Sequence, residues 1–197
     1  MDNTHTKIDR KKVINSLFWK YMERGGTQGV QFVVSIILAR LLSPNEYGII
    51  AIVMVFITLS NVFVQSGFNT ALIQKRTVDH VDFSSVFILS FLIAFLLYVM
   101  LFVSAPWIAT FYNNLQLIAV IRVLSITLFF GAFNSIQNAY LTKHMMFKKL
   151  FYRSFLAMII SGIVGIITAY FGWGVWALVA QQLSSKIAIV LILWYTV

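Results

Sequence analysis

The chain has 197 residues, of which 60% are hydrophobic and only 11% are charged, and its mean hydropathy is +0.87. Soluble domains carry about a quarter charged residues, so this composition excludes a water-soluble fold. The net charge of +9 does not indicate nucleic-acid binding, because the basic residues lie in short segments between apolar runs. We therefore predict an all-α integral membrane protein that contacts the lipid bilayer and no nucleic acid.

Apolar segments of helical length divide most of the chain. A bilayer core of about 30 Å needs roughly 20 mostly apolar helical residues for each crossing. Residues 1–16 are predicted to form a basic cytoplasmic tail, and residues 17–197 a lobe of six transmembrane helices. The last apolar segment continues to the end of the sequence, so we expect a truncated sequence or one half of a protein. The predicted helices span about 21–42, 44–67, 83–105, 115–141, 154–171 and 175–197.

Turn and cap residues set several of these boundaries. Ser43 can cap the second helix, with Pro44 as its first residue and Glu46 as the reciprocal cap. Pro106 is expected to end the third helix, since proline lacks a backbone donor and disfavours a helical residue before it. Gly172-Trp173-Gly174 predicts a tight turn between the last two helices.

The distribution of Lys and Arg predicts the orientation. In the outward-facing segments only Arg40 is basic, whereas the other side holds many basic residues, which places the N-terminus in the cytoplasm. The basic residues assigned to the cytoplasmic side are Lys7, Arg10, Lys11, Lys12, Lys20, Arg24, Lys75, Arg76, Lys143, Lys148, Lys149 and Arg153.

Polar residues recur inside the predicted helices at helical spacing. Facing lipid they would be unfavourable, so they should face the bundle interior. One alternative is that they form interhelical hydrogen bonds, with Gly25 and Gly29 as a GxxxG pair that lets helices approach closely. The other is a shared cavity open to the cytoplasm, which polar stripes on at least three helices favour. Two stripes lie on shared faces, namely Arg24, Gln28, Gln31 and Ser35 on the first helix, and Thr58, Asn61 and Gln65 on the second.

Two cations within the helices are candidates for an anion site. Arg24 either reaches the inner headgroups or binds an anionic group such as a phosphate, which suits a guanidinium fork. Lys186 lies within the sixth helix beside polar neighbours. The predicted substrate-binding residues are Arg24, Gln28, Gln31, Asn61, Gln65 and Lys186.

Catalytic patterns are weak or missing. The chain has no cysteine, and its three histidines lie in separate segments without metal-ligand spacing. Paired intramembrane carboxylates and a Walker-type phosphate loop are also missing. We therefore expect a protein that is not an enzyme and that has no cofactor and no metal site.

Four ordered blocks carry a resemblance to a known family. Residues 39–48 (ARLLSPNEYG) resemble the first-loop signature of bacterial polysaccharide transporters, the oligosaccharide-lipid flippases of the multidrug/oligosaccharidyl-lipid/polysaccharide exporter superfamily. Residues 67–74, 82–87 and 105–112 agree with the same family, most closely with the branch associated with colanic and teichuronic acid export. The similarity begins near Leu17 and covers nearly all of the chain.

The resemblance implies a flippase that moves an undecaprenyl-diphosphate-linked oligosaccharide across the bacterial plasma membrane. Members of that family have two six-helix lobes around a central cationic cavity, and this sequence resembles the N-terminal lobe, so a second lobe is an expected partner. Arg24 would suit the diphosphate, and the amides of Gln28, Gln31, Asn61 and Gln65 would suit the sugar hydroxyls.

Two other functions stay open. A cation-coupled multidrug exporter of the same superfamily would need acidic groups within its helices, and we expect every acidic residue here at a helix end or in a loop. A noncatalytic membrane subunit of a polysaccharide-synthesis complex would have its polar stripes satisfied by helix contacts.

Overall fold

The structure is a computed structural model that describes the backbone of residues 10–65, 80–143 and 147–196 and the side chains of residues 18–64, 85–135 and 148–192. This part of the chain is an all-α fold. Its helices, numbered here in chain order, are α1 (Arg10–Leu41), α2 (Pro44–Gln65), α3 (His80–Phe111), α4 (Gln116–Leu124), α5 (Thr127–Lys143), α6 (Phe147–Tyr170) and α7 (Val175–Thr196).

Five stretches of the described chain are long and apolar enough to cross a membrane, and the chain is an all-α integral membrane protein. The helix α1 is not among them, because its first two thirds carry many polar and charged residues. At 32 residues it is nevertheless about 48 Å long, more than one crossing needs. The sixth crossing thus stays a prediction. The five stretches are Pro44–Val64, Ser85–Phe111, Gln116–Ser135, Lys148–Tyr170 and Val175–Ile192.

The expectation that Pro106 ends the third helix at Ala105 is wrong. Pro106 lies inside α3, which continues to Phe111. Two hydroxyls donate to carbonyls around it, Ser104 to Met100 at 2.6 Å and Thr110 to Pro106 itself at 2.9 Å. In lipid a broken helix would expose unsatisfied backbone groups, so a proline flanked by Ser and Thr donors is tolerated within the helix.

Two further boundaries differ from the predicted ones. The predicted helix over 115–141 is divided into α4 and α5 by a turn at Ser125 and Ile126. There the Ile126 N–H donates to the Val123 carbonyl three residues back, as in a 3₁₀ turn. The predicted helix over 154–171 begins earlier, at Phe147, and therefore takes in residues assigned to a loop.

The reciprocal cap predicted at the start of α2 is confirmed. The backbone N–H of Ser43 donates to the Glu46 carboxylate at 2.6 Å, and the N–H of Glu46 lies 3.5 Å from the Ser43 hydroxyl. The tight turn between α6 and α7 is also present, with φ of +74° at Gly172 and +54° at Gly174. Only glycine adopts these values without strain.

The helices form one bundle in which α7 packs against helices on both sides. The helix α1 packs mainly against α6, and α6 packs against α7. In turn α7 contacts α2, α4 and α5, and α3 covers α4 and α5 from the other side. The largest fully buried side chains come mainly from α2 and from the α4–α5 region, including Val53, Leu117, Ile121, Leu124 and Leu128. The polar faces of α1, α6 and α7 are thus positioned mainly by the α1–α6 and α6–α7 contacts.

Close approach between α1 and α6 depends on Gly26 and Gly162. A methyl group on Gly162 would lie 2.6 Å from Cγ2 of Val34, and one on Gly26 would lie 3.3 Å from the Phe151 ring. Nothing lies within 4 Å of the corresponding positions on Gly25 and Gly29. The predicted role of that GxxxG pair in close helix contact is therefore wrong for the described residues.

Candidate functional site

A cavity of about 500 Å³ opens between α1, α5, α6 and α7, and we call it the arginine cavity after Arg24 and Arg153. Its α1 wall presents residues at a helical spacing of three and four. Its α6 wall begins in the first two turns of that helix, and α7 contributes Ser185 and Ile189. The α1 wall consists of Lys20, Glu23, Arg24 and Thr27.

Glu23 and Arg153 face each other across this cavity. Only 5% of the Arg153 surface is exposed, and its guanidinium interacts electrostatically with the Glu23 carboxylate. The Ser154 hydroxyl donates to Oε1 of Glu23 at 3.0 Å. Since a guanidinium buried this deeply needs a counter-charge, the Glu23 carboxylate supplies one.

The other cations of the cavity are more accessible. Lys20 and Arg24 are exposed, so a molecule that enters the cavity can reach both side chains. On the far wall, Oδ1 of Asn134 is buried and accepts no hydrogen bond from the residues that the structure describes. Asn134 Oδ1 is therefore a buried acceptor whose hydrogen-bonding capacity the described residues leave unused.

The charge balance of the lining is positive. Three cations, Lys20, Arg24 and Arg153, meet one carboxylate, which leaves a formal balance of +2. Two guanidinium groups and an ammonium can neutralise a doubly charged anion, and guanidinium forks suit phosphate oxygens in particular. The formal charge of the lining therefore favours an anion over a cation.

A second, smaller cavity lies between α2, α4, α5 and α7. Its volume is about 210 Å³, and we call it the lysine cavity after Lys186. Asn61 also lines it. Because Ser185 faces the arginine cavity and Lys186 the lysine cavity, adjacent residues of α7 serve the two cavities.

The structure does not bring the six predicted substrate-binding residues together in one cavity. Arg24 lines the arginine cavity, and Asn61 and Lys186 line the lysine cavity. Gln28 is exposed and Gln31 half-buried, and neither lines a described cavity. The side chain of Gln65 lies outside the described residues.

Sequence reasoning missed Arg153 and Ser154. Both were assigned to the boundary between a loop and a helix that was expected to begin at Ser154, and Arg153 was used only as a topology signal. A helix that begins at Phe147 turns Arg153 and Ser154 toward α1. The signal that would have found them is the continuous helical pattern from Phe147, in which no proline or glycine interrupts the basic stretch.

The expectation that every acidic residue lies at a helix end or in a loop is also wrong. The helix α1 begins at Arg10, well before the predicted start at Tyr21, so Glu23 lies in the interior of the helix. Within the described residues, no group of three or more His, Cys, Asp or Glu side chains could hold a metal ion.

The sequence is similar to three curated bacterial proteins of polysaccharide biosynthesis. The chain is 26% identical over 180 residues to a succinoglycan biosynthesis transport protein of Rhizobium meliloti, which covers 91% of this chain and 36% of the relative. It is 22% identical over 141 residues to a lipopolysaccharide biosynthesis protein of Escherichia coli, covering 72% of this chain and 29% of the relative. It is 24% identical over 140 residues to a teichuronic acid biosynthesis protein of Bacillus subtilis, covering 71% and 29%.

The chain spans about a third of the length of these curated relatives. No solved structure matches it. The membrane-spanning helices and the bacterial relatives together make it a multi-pass protein of the bacterial plasma membrane. A family model described as polysaccharide biosynthesis protein matches residues 37–197, and the chain therefore belongs to this polysaccharide biosynthesis family.

Proposed function

We propose that the chain is the N-terminal lobe of a flippase that moves an undecaprenyl-diphosphate-linked oligosaccharide across the plasma membrane for polysaccharide export. The observation that carries the proposal is the arginine cavity, where three cations surround a space of about 500 Å³ at the predicted cytoplasmic ends of α1, α6 and α7. The lobe performs no covalent chemistry and works with a second six-helix lobe.

The arrangement of the cavity supports a binding sequence for the diphosphate. Arg24 and Lys20 are exposed and meet the anion first, because their long side chains reach toward the headgroup level. Arg153 is buried, interacts electrostatically with Glu23, and completes the site from the α6 wall. The side-chain oxygen Oδ1 of Asn134 and the hydroxyl of Ser185 supply hydrogen-bonding groups for the first sugar.

The relatives support the same assignment. One is described as a transport protein for succinoglycan biosynthesis and another as a teichuronic acid biosynthesis protein. A carrier for such a polymer needs a water-accessible polar site within the membrane, because sugar hydroxyls and phosphates are too polar to cross lipid unaided. The arginine cavity meets that need.

The test is export in the bacterium that carries the gene, with each variant replacing the native copy in the whole protein. Arg24→Ala is expected to reduce surface polysaccharide strongly while protein abundance stays normal. Arg40→Ala is the matched control, since Arg40 lies at the other end of the same helix and lines neither cavity. Unchanged export in Arg24→Ala would show that Arg24 is not part of the site. Unchanged export after gene deletion would contradict the proposed function.

A cation-coupled multidrug exporter is the second candidate, and the position of Glu23 inside α1 favours it. Against it, the Glu23 carboxylate already accepts a hydrogen bond from Ser154 and faces Arg153, so its charge is compensated by the protein. Gene deletion separates the two functions: loss of surface polysaccharide supports the flippase, and drug hypersensitivity with normal polysaccharide supports the exporter.

A further inference from the structure

The helix α4 carries an arginine that packs on an aromatic ring rather than beside a carboxylate. The guanidinium carbon Cζ of Arg122 lies 4.2 Å from the centre of the Phe102 ring of α3. Nε of Arg122 is buried and has no hydrogen-bond partner among the residues that the structure describes. Neither residue lines the arginine cavity or the lysine cavity, so this cation lies outside the site proposed for the substrate.

The helices around Arg122 offer it no negative charge. The sequences of α4 and α5, and of α3 beyond Asp82, contain no acidic residue. Glu46 is the only acidic residue in the predicted outward-facing segments, and its carboxylate already accepts the Ser43 N–H at 2.6 Å. A cation within a membrane-spanning helix is unfavourable without a counter-charge, and the face of a ring compensates it only in part. We therefore expect the counter-charge of Arg122 to come from a molecule outside these helices.

Phe102 is the first ring of a series that continues along α3 and α5 toward their predicted cytoplasmic ends, and we call this series the aromatic row. The centroids of successive rings lie between 5.1 and 6.3 Å apart. Phe91, Phe102 and Phe133 are 38–39% exposed, and α3 is the least buried of the five membrane-crossing stretches. The aromatic row thus lies on the outside of the bundle, where exposed apolar surface meets lipid chains. In order, the row consists of Phe102, Tyr98, Phe129, Phe91, Phe133 and Phe87.

The dimensions of the aromatic row match one leaflet of a bilayer. Arg122 lies six residues into the stretch Gln116–Ser135, about 9 Å from its predicted outer end, and a side chain as long as arginine reaches headgroups from that depth. From Phe102 to Phe91 the row covers eleven residues of α3, which is about 16 Å along the helix axis. Half of a bilayer core of about 30 Å is about 15 Å. A lipid with its headgroup at Arg122 would therefore have one acyl chain along this part of the row.

We infer that Arg122 and the aromatic row bind an anionic phospholipid of the outer leaflet, with its phosphate on the Arg122 guanidinium and one acyl chain on the rings. A guanidinium fork suits phosphate oxygens, and the lipid supplies the negative charge that α4 and α5 lack. The inference does not depend on the proposed function, because the ligand is a lipid of the membrane and not the cargo.

The test uses photo-crosslinking in phosphatidylcholine nanodiscs that contain the purified protein. Two probes, phosphatidylglycerol and phosphatidylcholine, carry the same acyl chains with a diazirine, and mass spectrometry maps the labelled residues. The phosphatidylglycerol probe should label the aromatic row about fivefold more than the other probe, a ratio in keeping with one partly screened charge. Arg122→Gln should abolish that difference, and Arg122→Lys should keep part of it because it keeps the charge without the planar fork. Arg40→Gln is the matched control, since Arg40 is an exposed arginine at the predicted outer end of α1, and it should leave the labelling unchanged.

Equal labelling of the row by the two probes, or a difference that survives in Arg122→Gln, would overturn the inference. An equal loss in Arg40→Gln would also overturn it, because the lipid would then follow general surface charge and not a site. Glycerophosphate, which is the headgroup without chains, should not displace the probe, and displacement would show a site for free phosphate esters and not for a lipid.

Thermal unfolding separates lipid binding from a purely structural role of Arg122. If Arg122 binds the phospholipid, Arg122→Gln should lower the unfolding temperature in nanodiscs rich in phosphatidylglycerol and leave it nearly unchanged in phosphatidylcholine alone. If the stacking on Phe102 is its whole role, the loss should be the same in both lipids, and that result would overturn the inference.

Discussion

The hydroxyl of Ser154 donates a hydrogen bond of 3.0 Å to the Glu23 carboxylate and so joins α6 to α1 across 131 residues of sequence. This hydrogen bond joins the α1 wall of the arginine cavity to its α6 wall. The same carboxylate faces Arg153, which is almost fully buried. Glu23 therefore has two roles, as an acceptor that holds two helices together and as the counter-charge of a cation that we assign to the ligand.

Ser154→Ala tests the first role. It removes the donor but leaves the carboxylate and Arg153 in place, and hydrogen bonds to charged groups contribute about 1.5–3 kcal/mol. We expect a loss of stability of that order, measured by thermal unfolding in detergent with tryptophan fluorescence. In a double-mutant cycle with Glu23→Ala, the two losses should be clearly non-additive. Additive losses would mean that the two side chains are not coupled.

Glu23→Gln tests the second role. It keeps the size of the side chain and an acceptor for Ser154, but it removes the only negative charge from the described lining of the cavity. We expect undecaprenyl diphosphate to bind about three- to tenfold more tightly, since a gain of about 1 kcal/mol is reasonable for one nearby charge. The gain should shrink as salt is raised. Weaker binding in this variant would contradict the second role, because the carboxylate would then support binding of the lipid rather than oppose it.

Gly162→Ala tests the contact between α1 and α6. A methyl group there would lie 2.6 Å from Val34 Cγ2, so we expect a loss of about 1–3 kcal/mol from overpacking. The smaller side chain in Val34→Ala should restore much of the stability in the double variant. Gly29→Ala is the matched control, because nothing lies within 4 Å of its added methyl group and alanine favours the helix. Thermal unfolding of the wild type, the three single variants and the double variant checks the prediction. A loss of stability in Gly29→Ala equal to that in Gly162→Ala would contradict it.

Much of the fold was predictable because it depends on local signals. The start of α2 at Pro44 follows from residues that contact each other within one helical turn, and the turn at Gly172 and Gly174 follows from conformations that glycine favours. The continuation of α3 through Pro106 was not predictable by the same rules. Those rules describe helices in water, whereas in lipid the cost of unsatisfied backbone groups outweighs the tendency of proline to end a helix.

The site was less predictable than the fold. Arg24 was found because it begins a polar stripe on one helix, which is a property of local sequence. That Arg24 and Arg153 share a cavity, and that Lys186 does not share it, depends on how α1, α6 and α7 pack together. Helical periodicity gives the face of each residue on its own helix, but it does not give the neighbour that this face meets.

The turn between α6 and α7 supplies the last prediction, through the contact of Gly174 with the cap of α2. Gly174 and Gly172 both have positive φ, so alanine at either position costs about 1–2 kcal/mol in backbone strain. At Gly174 the added methyl group would also touch Oε1 of Glu46, whose other oxygen accepts the Ser43 N–H. Gly174→Ala should therefore destabilise the protein by about 1 kcal/mol more than Gly172→Ala, because it also disturbs this cap.

Glu46→Ala separates the two contributions to that loss. The Glu46→Ala variant lacks both the carboxylate that the added methyl group would touch and the reciprocal cap. In that background Gly174→Ala should therefore lower the stability only by the backbone strain that Gly172→Ala also causes. Thermal unfolding in detergent of the single and double variants provides the comparison. If Gly174→Ala costs as much in the Glu46→Ala background as in the wild type, the contact between this turn and the start of α2 does not contribute to stability, and the strain at Gly174 accounts for the whole effect.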